Sequence, residues 1–329
     1  MKSPNQYPLV SIITINFNQL DFTIELLESL QVISYPAIEI IVVDNASKED
    51  PTEKINHSFP KVKVIRCDKN LGFAGGNNQG IVAATGKYLL FLNNDTEVEK
   101  DFLEPLVTFF EQTPNAGAVS PKIKYYLSQN KNLIQWGGSA GINELTVRGK
   151  VRGGQEEDIG QYDDIFKCEL VHGAAMMIPF DVVLKSGLMP DIYFLYYEEH
   201  DWIERIKKKG YDIYYLGKST VYHKESMSVG KNSLLKTYYL NRGRLIFTRR
   251  NRSGLKKILS LLFFVLISFP KNALLFILRK ETAHLKAFWD ACVWNLSSPM
   301  DIFKTPKLHK SKTGDYHIID ESFQQIKKF

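Results

Sequence analysis

The chain has 329 residues, 44% of them hydrophobic and 24% charged, a balance that supports one large or two modest cores and excludes disorder as the main state. Its three cysteines, Cys67, Cys168 and Cys292, lie far apart with no CxxC pair, which excludes a disulfide framework or a thiolate zinc site and fits a reducing compartment. The net charge of +6 averages two unlike parts: residues 205–257 carry 15 Lys/Arg against two acids, a net +13, which leaves −7 for the rest. Such a basic stretch calls for an anionic partner, whether a nucleotide diphosphate, a nucleic acid or an anionic membrane surface.

Residues 1–8 are polar and the apolar run behind them is only strand-sized, so no signal peptide is expected. Residues 9–15 (LVSIITI) read as a strand, 22–30 as a helix, and 38–43 (IEIIVV) and 62–65 as further strands. A short helix over 77–84 and a strand at 87–92 (KYLLFL) follow. Strands that are apolar throughout are buried on both faces, as parallel strands between helix layers are. The expectation is an α/β nucleotide-binding half whose ligands sit at the carboxyl ends of the strands, where Asn16, Asp44 and residues 93–95 fall.

Beyond residue 120 the sequence turns Gly-rich, with strands expected near 122–125, 144–148 and 174–178. A helix over 198–209, stopped by Gly210, precedes two short strands at 212–216 and 219–223. Residues 258–269 (ILSLLFFVLISF) are uncharged, but a 12-residue helix reaches roughly 18 Å against a hydrocarbon core of ~30 Å. Pro270 and Lys271 interrupt the run before residues 273–278, and Arg249, Arg250, Arg252, Lys256, Lys257, Arg279 and Lys280 flank it. This pattern fits a helix in the plane of a membrane interface or a re-entrant hairpin, the alternative being a helix pair packed on the catalytic domain or at a dimer interface.

Five segments could carry chemistry. Asp44 ends a strand and opens VDNAS, where it can accept from a base or ribose or simply shape the turn over 45–50. The segment NLGFAGGNNQG (70–80), which contains Gly72 and Asn78, offers glycines for close ligand approach and helix-start N–H groups for a phosphate or ribose, or else a plain turn. In LNNDT (92–96), Asp95 is placed to ligate Mg²⁺ or Mn²⁺ on a diphosphate, or to cap the next helix. Glu198 and Glu199 follow the aromatic run YFLYY; a carboxyl at the mouth of an apolar pocket has its pKa raised, as a general base needs, whereas Asp201 and Arg205 read as an i, i+4 structural pair. His223 could ligate a metal or contact a diphosphate, and Lys224 could neutralise phosphate; a solvated loop is the other reading.

Together SIITINFN, VVDNAS, NLGFAGGNNQG, FLNNDT, GQYD (160–163), GAAMMI, YYEEHDWIER, VYHKESMSVGKNS and YYLNRGRLIF (238–247), in this order over residues 8–250, resemble the inverting glycosyltransferase family 2, and within it the bacterial rhamnosyltransferase-like group. The resemblance implies an α/β GT-A (Rossmann-like) fold with a mixed sheet and C-terminal apolar helices. It implies a catalytic domain over 1–230 (donor half 8–120, acceptor half 121–230), a helical membrane-interfacial segment over 231–300 and a polar tail over 301–329. It further implies that Thr14, Asn16 and Asp44 line the base site, that Gly72, Asn78, Asn94 and Lys224 contact the donor, and that Asp95 and His223 hold Mg²⁺ or Mn²⁺. Glu199, with Glu198 as the alternative, takes the place of the catalytic carboxylate.

The implied partners are a nucleotide-diphosphate sugar, dTDP-rhamnose ahead of UDP-sugars, a saccharide or lipid-linked acceptor, and an anionic membrane surface, with no nucleic acid expected. The implied location is the cytoplasmic face of the cell membrane. Two departures stand out: the metal motif reads Asn93-Asn94-Asp95 instead of Asp-x-Asp, and the base motif reads Glu-Glu where Glu-Asp is usual. The QxxRW motif of processive members is absent, which implies one sugar per encounter. The competing reading from another class is a non-catalytic membrane or nucleic-acid binder using the basic 205–257 stretch, with Tyr238, Tyr239 and Phe247 interleaved among its arginines.

Overall fold

Strand β1 (Val10–Asn16) sits at the centre of the molecule because both of its faces are covered: Val10, Ile12 and Ile13 are fully buried, and so are Ser11 and Thr14. The description rests on a computed structural model and covers residues 7–126, 132–224, 233–298, 305–311 and 313–319. After β1 come α1 (Leu20–Gln31), β2 (Ile38–Asp44), α2 (Thr52–Ser58), β3 (Lys63–Arg66), α3 (Gly72–Ala83) and β4 (Tyr88–Leu92). Strands β1 to β4 are mutually parallel in the order β3-β2-β1-β4. The chain therefore reverses its direction of sheet growth between β1 and β4, and the carboxyl ends of those strands, Asn16 and Leu92, flank the switch point.

The second half extends the same sheet and makes it mixed. β5 (Thr96–Val98), α4 (Leu103–Gln112), β6 (Ala116–Tyr125), β7 (Ile134–Trp136), β8 (Ser139–Ile142), β9 (Gly149–Val151), β10 (Ile165–Cys168) and β11 (Ala175–Pro179) lead to α5 (Phe180–Ser186), α6 (Glu198–Lys208) and β12 (Asp212–His223). The ten-stranded sheet runs β10-β12-β6-β11-β4-β1-β2-β3, with β5 on β12 and β7 on β6, and β11 lies antiparallel to β4. Phe91, Met176, Met177, Val119, Trp202 and Tyr215 are all fully buried in one continuous core, so the donor and acceptor halves share their interior.

Several expectations are corrected. α3 begins at Gly72, five residues ahead of the expected 77–84, and runs straight through the glycines. Packing overrides propensity here: a Cβ on Gly80 would lie 2.3 Å from Ile13 Cγ2, so the glycine lets α3 lie directly on β1. Residues 144–148 form a turn joining β8 to β9, in which Asn143 Oδ1 accepts from Leu145 N and Thr146 N at 3.0 and 2.9 Å. The two short strands near 212–223 are one strand, β12, with a register irregularity between Leu216 and Thr220.

The C-terminal part holds α7 (Leu234–Asn251), α8 (Gly254–Phe263), a π-turn (Phe264–Ser268), α9 (Phe269–Leu278) and α10 (Thr282–Ser297), then the hairpin β13 (Lys307–Lys310) and β14 (Tyr316–Ile319). Pro270 does not break the apolar run. It falls in the first turn of α9, directly after the π-turn, so its missing N–H removes no essential bond. The result is one rod over Gly254–Leu278, 25 residues long and so roughly 37 Å, which by length and composition suffices to cross a membrane. The expectation of a run too short to span is overturned on length.

The polar tail is not free over its described part. Tyr316 packs edge-on against Phe180 at 5.2 Å, Pro306 O accepts from Leu188 N at 3.2 Å, and Leu308 and Ile318 pack on the main core. Residues 225–232 of the VYHKESMSVGKNS motif and 320–329 of the tail lie outside the described residues.

Candidate active site

The polar loop ends at the switch point are tied into one network. Asn16 Nδ2 donates to Asp44 Oδ1 at 2.8 Å and to Ser47 Oγ at 3.1 Å, while its Oδ1 accepts from Thr23 Oγ1 at 3.0 Å. Thr23 Oγ1 accepts in turn from Asn94 Nδ2 at 3.2 Å. Asp44 is fully buried; its second oxygen accepts from Ser47 N at 3.2 Å and Arg66 Nη1 at 3.1 Å. Asp44 thus shapes the loop 45–50 and is paired with Arg66, a partner at the end of β3 that the sequence reading missed. Thr14, two residues before Asn16 on the same face of β1, is buried with its Oγ1 unpaired.

Asp95 and His223 are brought together across β5 and β12, where Thr96 and His223 are paired residues. His223 Nε2 stands 3.2 Å from Asp95 Oδ1, and its Nδ1 is 2.8 Å from Gln135 Oε1 on β7. With Nδ1 donating to that amide oxygen, the neutral ring turns a lone pair toward a carboxylate oxygen, an arrangement that asks for a proton or a cation between them. The residues fit a divalent ion in this respect: one imidazole nitrogen and one carboxylate oxygen, with the remaining positions left to phosphate oxygens and water. Among the described residues no group of three His, Cys, Asp or Glu is placed to hold an ion unaided.

His172 bridges this pair to the carboxylates. Its ring lies 5.9 Å from that of His223 and 5.9 Å from Trp136, and its Nδ1 accepts from Ala174 N at 3.1 Å. Burial, with His223 beside it, pushes its pKa down to about 3, so His172 is neutral. Next to it, a Cβ placed on Gly173 would sit 3.9 Å from the Glu199 carboxyl, and Ala174 O accepts from Asn93 N at 2.9 Å. The strand end that carries Asp95 and the helix start that carries Glu199 therefore meet at residues 172–174. Neither His172 nor His200 was singled out in the sequence, although one directly precedes GAAMMI and the other directly follows Glu199.

Glu198 and Glu199 open α6, where the N-terminal dipole favours negative charge. The expectation of a raised pKa holds for only one of them. Burial, with Glu199 alongside, pushes the Glu198 carboxyl well above the ordinary range. Burial also opposes ionisation of Glu199, but the His200 imidazole, with Nδ1 3.1 Å from Oε1, outweighs it and holds Glu199 below the usual value. Each keeps one oxygen without a protein partner. Glu199 is thus the ionised member and faces the Asp95 side, while Glu198 is the protonated one.

The loop before α6 is strained. Phe194, Tyr196 and Tyr197 have φ of 63°, 66° and 76°, each a conformation costing about 1–2 kcal/mol for a non-glycine residue. Arg242 of α7 holds this loop, donating from Nη2 to Ile192 O at 2.6 Å and Tyr193 O at 2.8 Å. Below it, Asp201 accepts from Arg250 Nε and Asn251 Nδ2 at 2.7 Å each and from Tyr193 Oη at 2.9 Å, with Arg205 Nε at 3.4 Å. The Asp201–Arg205 pair is structural, as expected, but Arg250 is its nearer cation.

Three residues expected to contact the donor have protein partners of their own. The start of α3 is not open to phosphate: Gly72 N donates to Asn70 Oδ1 at 2.8 Å and Phe73 N to Phe194 O at 2.7 Å. Asn78 is buried, and its amide bonds Met189 O at 2.9 Å and Met189 N at 3.0 Å, so it fastens α3 to the acceptor half. Lys224 pairs with Glu25 and, at 3.0 Å, with Glu97, so its charge is already balanced. The interleaved aromatic and basic residues of α7 are likewise internal: Arg242 is buried against the rings of Tyr239 and Trp294 at 4.9 and 4.6 Å. A cavity of about 660 Å³ bounded by Tyr88, Phe110, Phe180 and Tyr211 opens at the other ends of the strands, away from all these groups.

The model of the family described as Glycosyl transferase family 2 matches residues 11–172. The putative teichuronic acid biosynthesis glycosyltransferase TuaG of Bacillus subtilis is 34% identical over 109 residues, which are 32% of this chain and 43% of that protein. The low-salt glycan biosynthesis hexosyltransferase Agl10 of Haloferax volcanii is 27% identical over 183 residues, 53% of this chain and 55% of that protein. The chain spans about half the length, or less, of these relatives. Among solved structures, the mannosyltransferase PcManGT of Pyrobaculum calidifontis with GDP-Man and Mn²⁺ aligns with a TM-score of 0.56 at 15% identity, over 88% of each chain. S. aureus TarS in complex with UDP-GlcNAc aligns with a TM-score of 0.55 at 17% identity, over 87% of this chain and 81% of that one. The fold is GT-A, and residues 11–172, just under half of the chain, match the glycosyltransferase family 2 model.

Proposed function

We propose that the chain is an inverting glycosyltransferase that moves one hexosyl unit from a nucleotide-diphosphate donor to a hydroxyl of a saccharide or lipid-linked saccharide in surface polysaccharide synthesis, on the cytoplasmic side of a membrane. The observation that carries this reading is the meeting, at the sheet's switch point, of the Asp95–His223 pair with an ionised Glu199 across His172 and Gly173. The relatives named for teichuronic acid and low-salt glycan biosynthesis support the polysaccharide assignment.

Each residue has a distinct task. Asp44, with Arg66 and Asn16, forms the polar floor for the nucleoside. Asp95 and His223 would hold Mg²⁺ or Mn²⁺, which when bound would supply charge neutralisation for the leaving diphosphate. Glu199 Oε2 takes the proton of the acceptor hydroxyl as the oxygen forms its bond to the anomeric carbon. The bond from that carbon to the phosphate oxygen breaks on the opposite face, and its electron pair leaves with the diphosphate. One base and one displacement invert the centre. His200, with Nδ1 3.1 Å from Oε1, favours the ionised form of Glu199, and the raised pKa of Glu198 disfavours a second negative charge beside it.

The motif resemblance favours dTDP-rhamnose, whereas the solved neighbours are complexes with UDP-GlcNAc and GDP-Man. A panel of dTDP-rhamnose, UDP-hexoses and GDP-mannose with Mn²⁺ and saccharide acceptors, followed by nucleotide diphosphate release, decides between them. Release from dTDP-rhamnose supports the full reading, and release from a UDP-sugar alone supports the family 2 variant. No release from any donor, together with no thermal protection by any nucleotide, overturns it.

A further inference from the structure

The basic stretch that called for an anion is largely spent inside the protein. Arg250 pairs with Asp201, Arg252 with Glu144, Arg242 with backbone carbonyls, and Arg249 donates to Asn295 O at 2.6 Å. The unspent surface lies further along the chain. On the 254–278 rod, one face is seated: Ser260, Phe264 and Ser268 are buried, Ser260 Oγ donates to Leu145 O at 3.0 Å, and Phe264, Phe269 and Phe276 pack around Phe288 of α10. The opposite face is apolar and bare, with Leu255, Ile258, Leu262, Leu266 and Leu278 between 48 and 69% exposed. α10 continues it: Trp289 adjoins Phe269 at 6.0 Å, and Val293 and Leu296 follow on the same helical face, Leu296 at 87% exposure.

We infer that the outer face of α8–α9 together with the Trp289–Val293–Leu296 strip of α10 is a seat for an anionic lipid bilayer, and that the rod lies in the plane of the interface. Length alone would let it span, but its first half is seated through Ser260 on Leu145 and its second half packs on Phe288 of α10, which is itself bonded to α7 through Asn295, so crossing would have to draw α10 and α7 along with it. The exposed Lys271, midway along the apolar face, also belongs at headgroup level. Charge sets the lipid class: residues 254–298 carry six Lys/Arg against two acids, and Lys256, Lys271, Arg279 and Lys280 are exposed. α10 is part of this seat and also part of the catalytic framework, because Trp294 stacks on Arg242, which holds the loop before Glu198.

The inference does not depend on the transferase chemistry, and its test reads binding and depth. The full chain is mixed with vesicles of phosphatidylcholine alone or with phosphatidylglycerol, and with brominated lipids labelled shallow or deep in the acyl chain. Trp289 is the built-in probe: of the four tryptophans, Trp136 and Trp202 are buried and Trp294 is half-buried. Expected are flotation with the anionic vesicles at least tenfold above the neutral ones and Trp289 quenching by the shallow label, with the quenching lost in W289F. The double variant Leu262→Glu/Leu266→Glu should keep its thermal midpoint and lose flotation at least tenfold. Binding to neither vesicle, equal binding to both, a concentration-dependent dimer that buries Trp289 without lipid, or protection of the 279–281 turn from a protease outside the vesicles overturns the in-plane anionic seat.

Discussion

Gly72 is where fold and chemistry are most tightly joined, and Gly72→Ala tests that joint. Its φ is +72°, and an added Cβ would lie 2.2 Å from Phe194 O. An ordinary carbon–oxygen contact needs about 3.3 Å, so the carbonyl must retreat by about 1 Å. That retreat weakens the bond it accepts from Phe73 N, a loss of about 1 kcal/mol, and left-handed backbone adds about 1–2 kcal/mol for alanine. The expected destabilisation is thus about 2–3 kcal/mol, or roughly 3–4 °C in thermal midpoint for a chain of 329 residues. The larger effect is on turnover. Phe194 opens the strained loop that sets the first turn of α6, and a displacement of about 1 Å at Glu199 is expected to lower kcat by roughly 10²-fold. Steady-state kinetics and a thermal melt measure both. A G72A enzyme with raised donor KM but normal kcat would restore the donor-loop reading, and one unchanged in both activity and melting would refute the packing argument.

Three more outcomes follow from the site. Replacing His200 with Leu removes what lowers the Glu199 pKa, so the acid limb of kcat/KM should move to higher pH, with H200Q in between, and an unmoved limb would remove His200 from that role. Asp95→Asn and His223→Gln should each raise the Mn²⁺ concentration for half-maximal rate by roughly 10–100-fold; an unchanged metal requirement would remove both from the ion's shell. Asp201→Asn strands two buried guanidinium groups and should cost about 3–5 kcal/mol. Because Arg250 overcomes burial and holds Asp201 below its unfolded pKa, this stabilisation is present above about pH 4 and is lost as pH falls through the lowered value. Urea melts of D201N should therefore show less acid sensitivity than the wild type over that range.

The donor half was legible because the strands β1, β2 and β4 (VSIITIN, IEIIVVD and YLLFL) are largely buried and so are written mostly in Ile, Val, Leu and Phe. The strand ends that point into the site were legible for the same reason: Asn16, Asp44 and Asp95 are polar residues where such runs stop. What was not legible is decided by distant partners. Glycine lowers helix propensity, so α3 was read as starting late, yet Gly80 is there because Ile13 leaves no room for a side chain. Lys224 reads as a free cation until Glu25 and Glu97 close on it, and the +13 stretch reads as a docking surface until Asp201 and Glu144 are found beneath it. Pro270 reads as a break because nothing local announces the π-turn that absorbs it. The division of roles between Glu198 and Glu199 likewise required His200 and its 3.1 Å contact.

The central claim, that Glu199 is the base facing a metal-bound donor, is tested most directly by Glu199→Gln. The amide keeps the shape, and its oxygen can still face His200 Nδ1, so the fold and the nucleotide floor at Asp44 are preserved. The measurement pairs the donor dissociation constant, by titration with Mn²⁺, with turnover of the same preparation. Donor affinity within threefold of wild type with kcat lowered by ~10²-fold or more is the predicted result; an E199Q enzyme that turns over at the wild-type rate, or whose loss of rate is matched by Glu198→Gln alone, would contradict it.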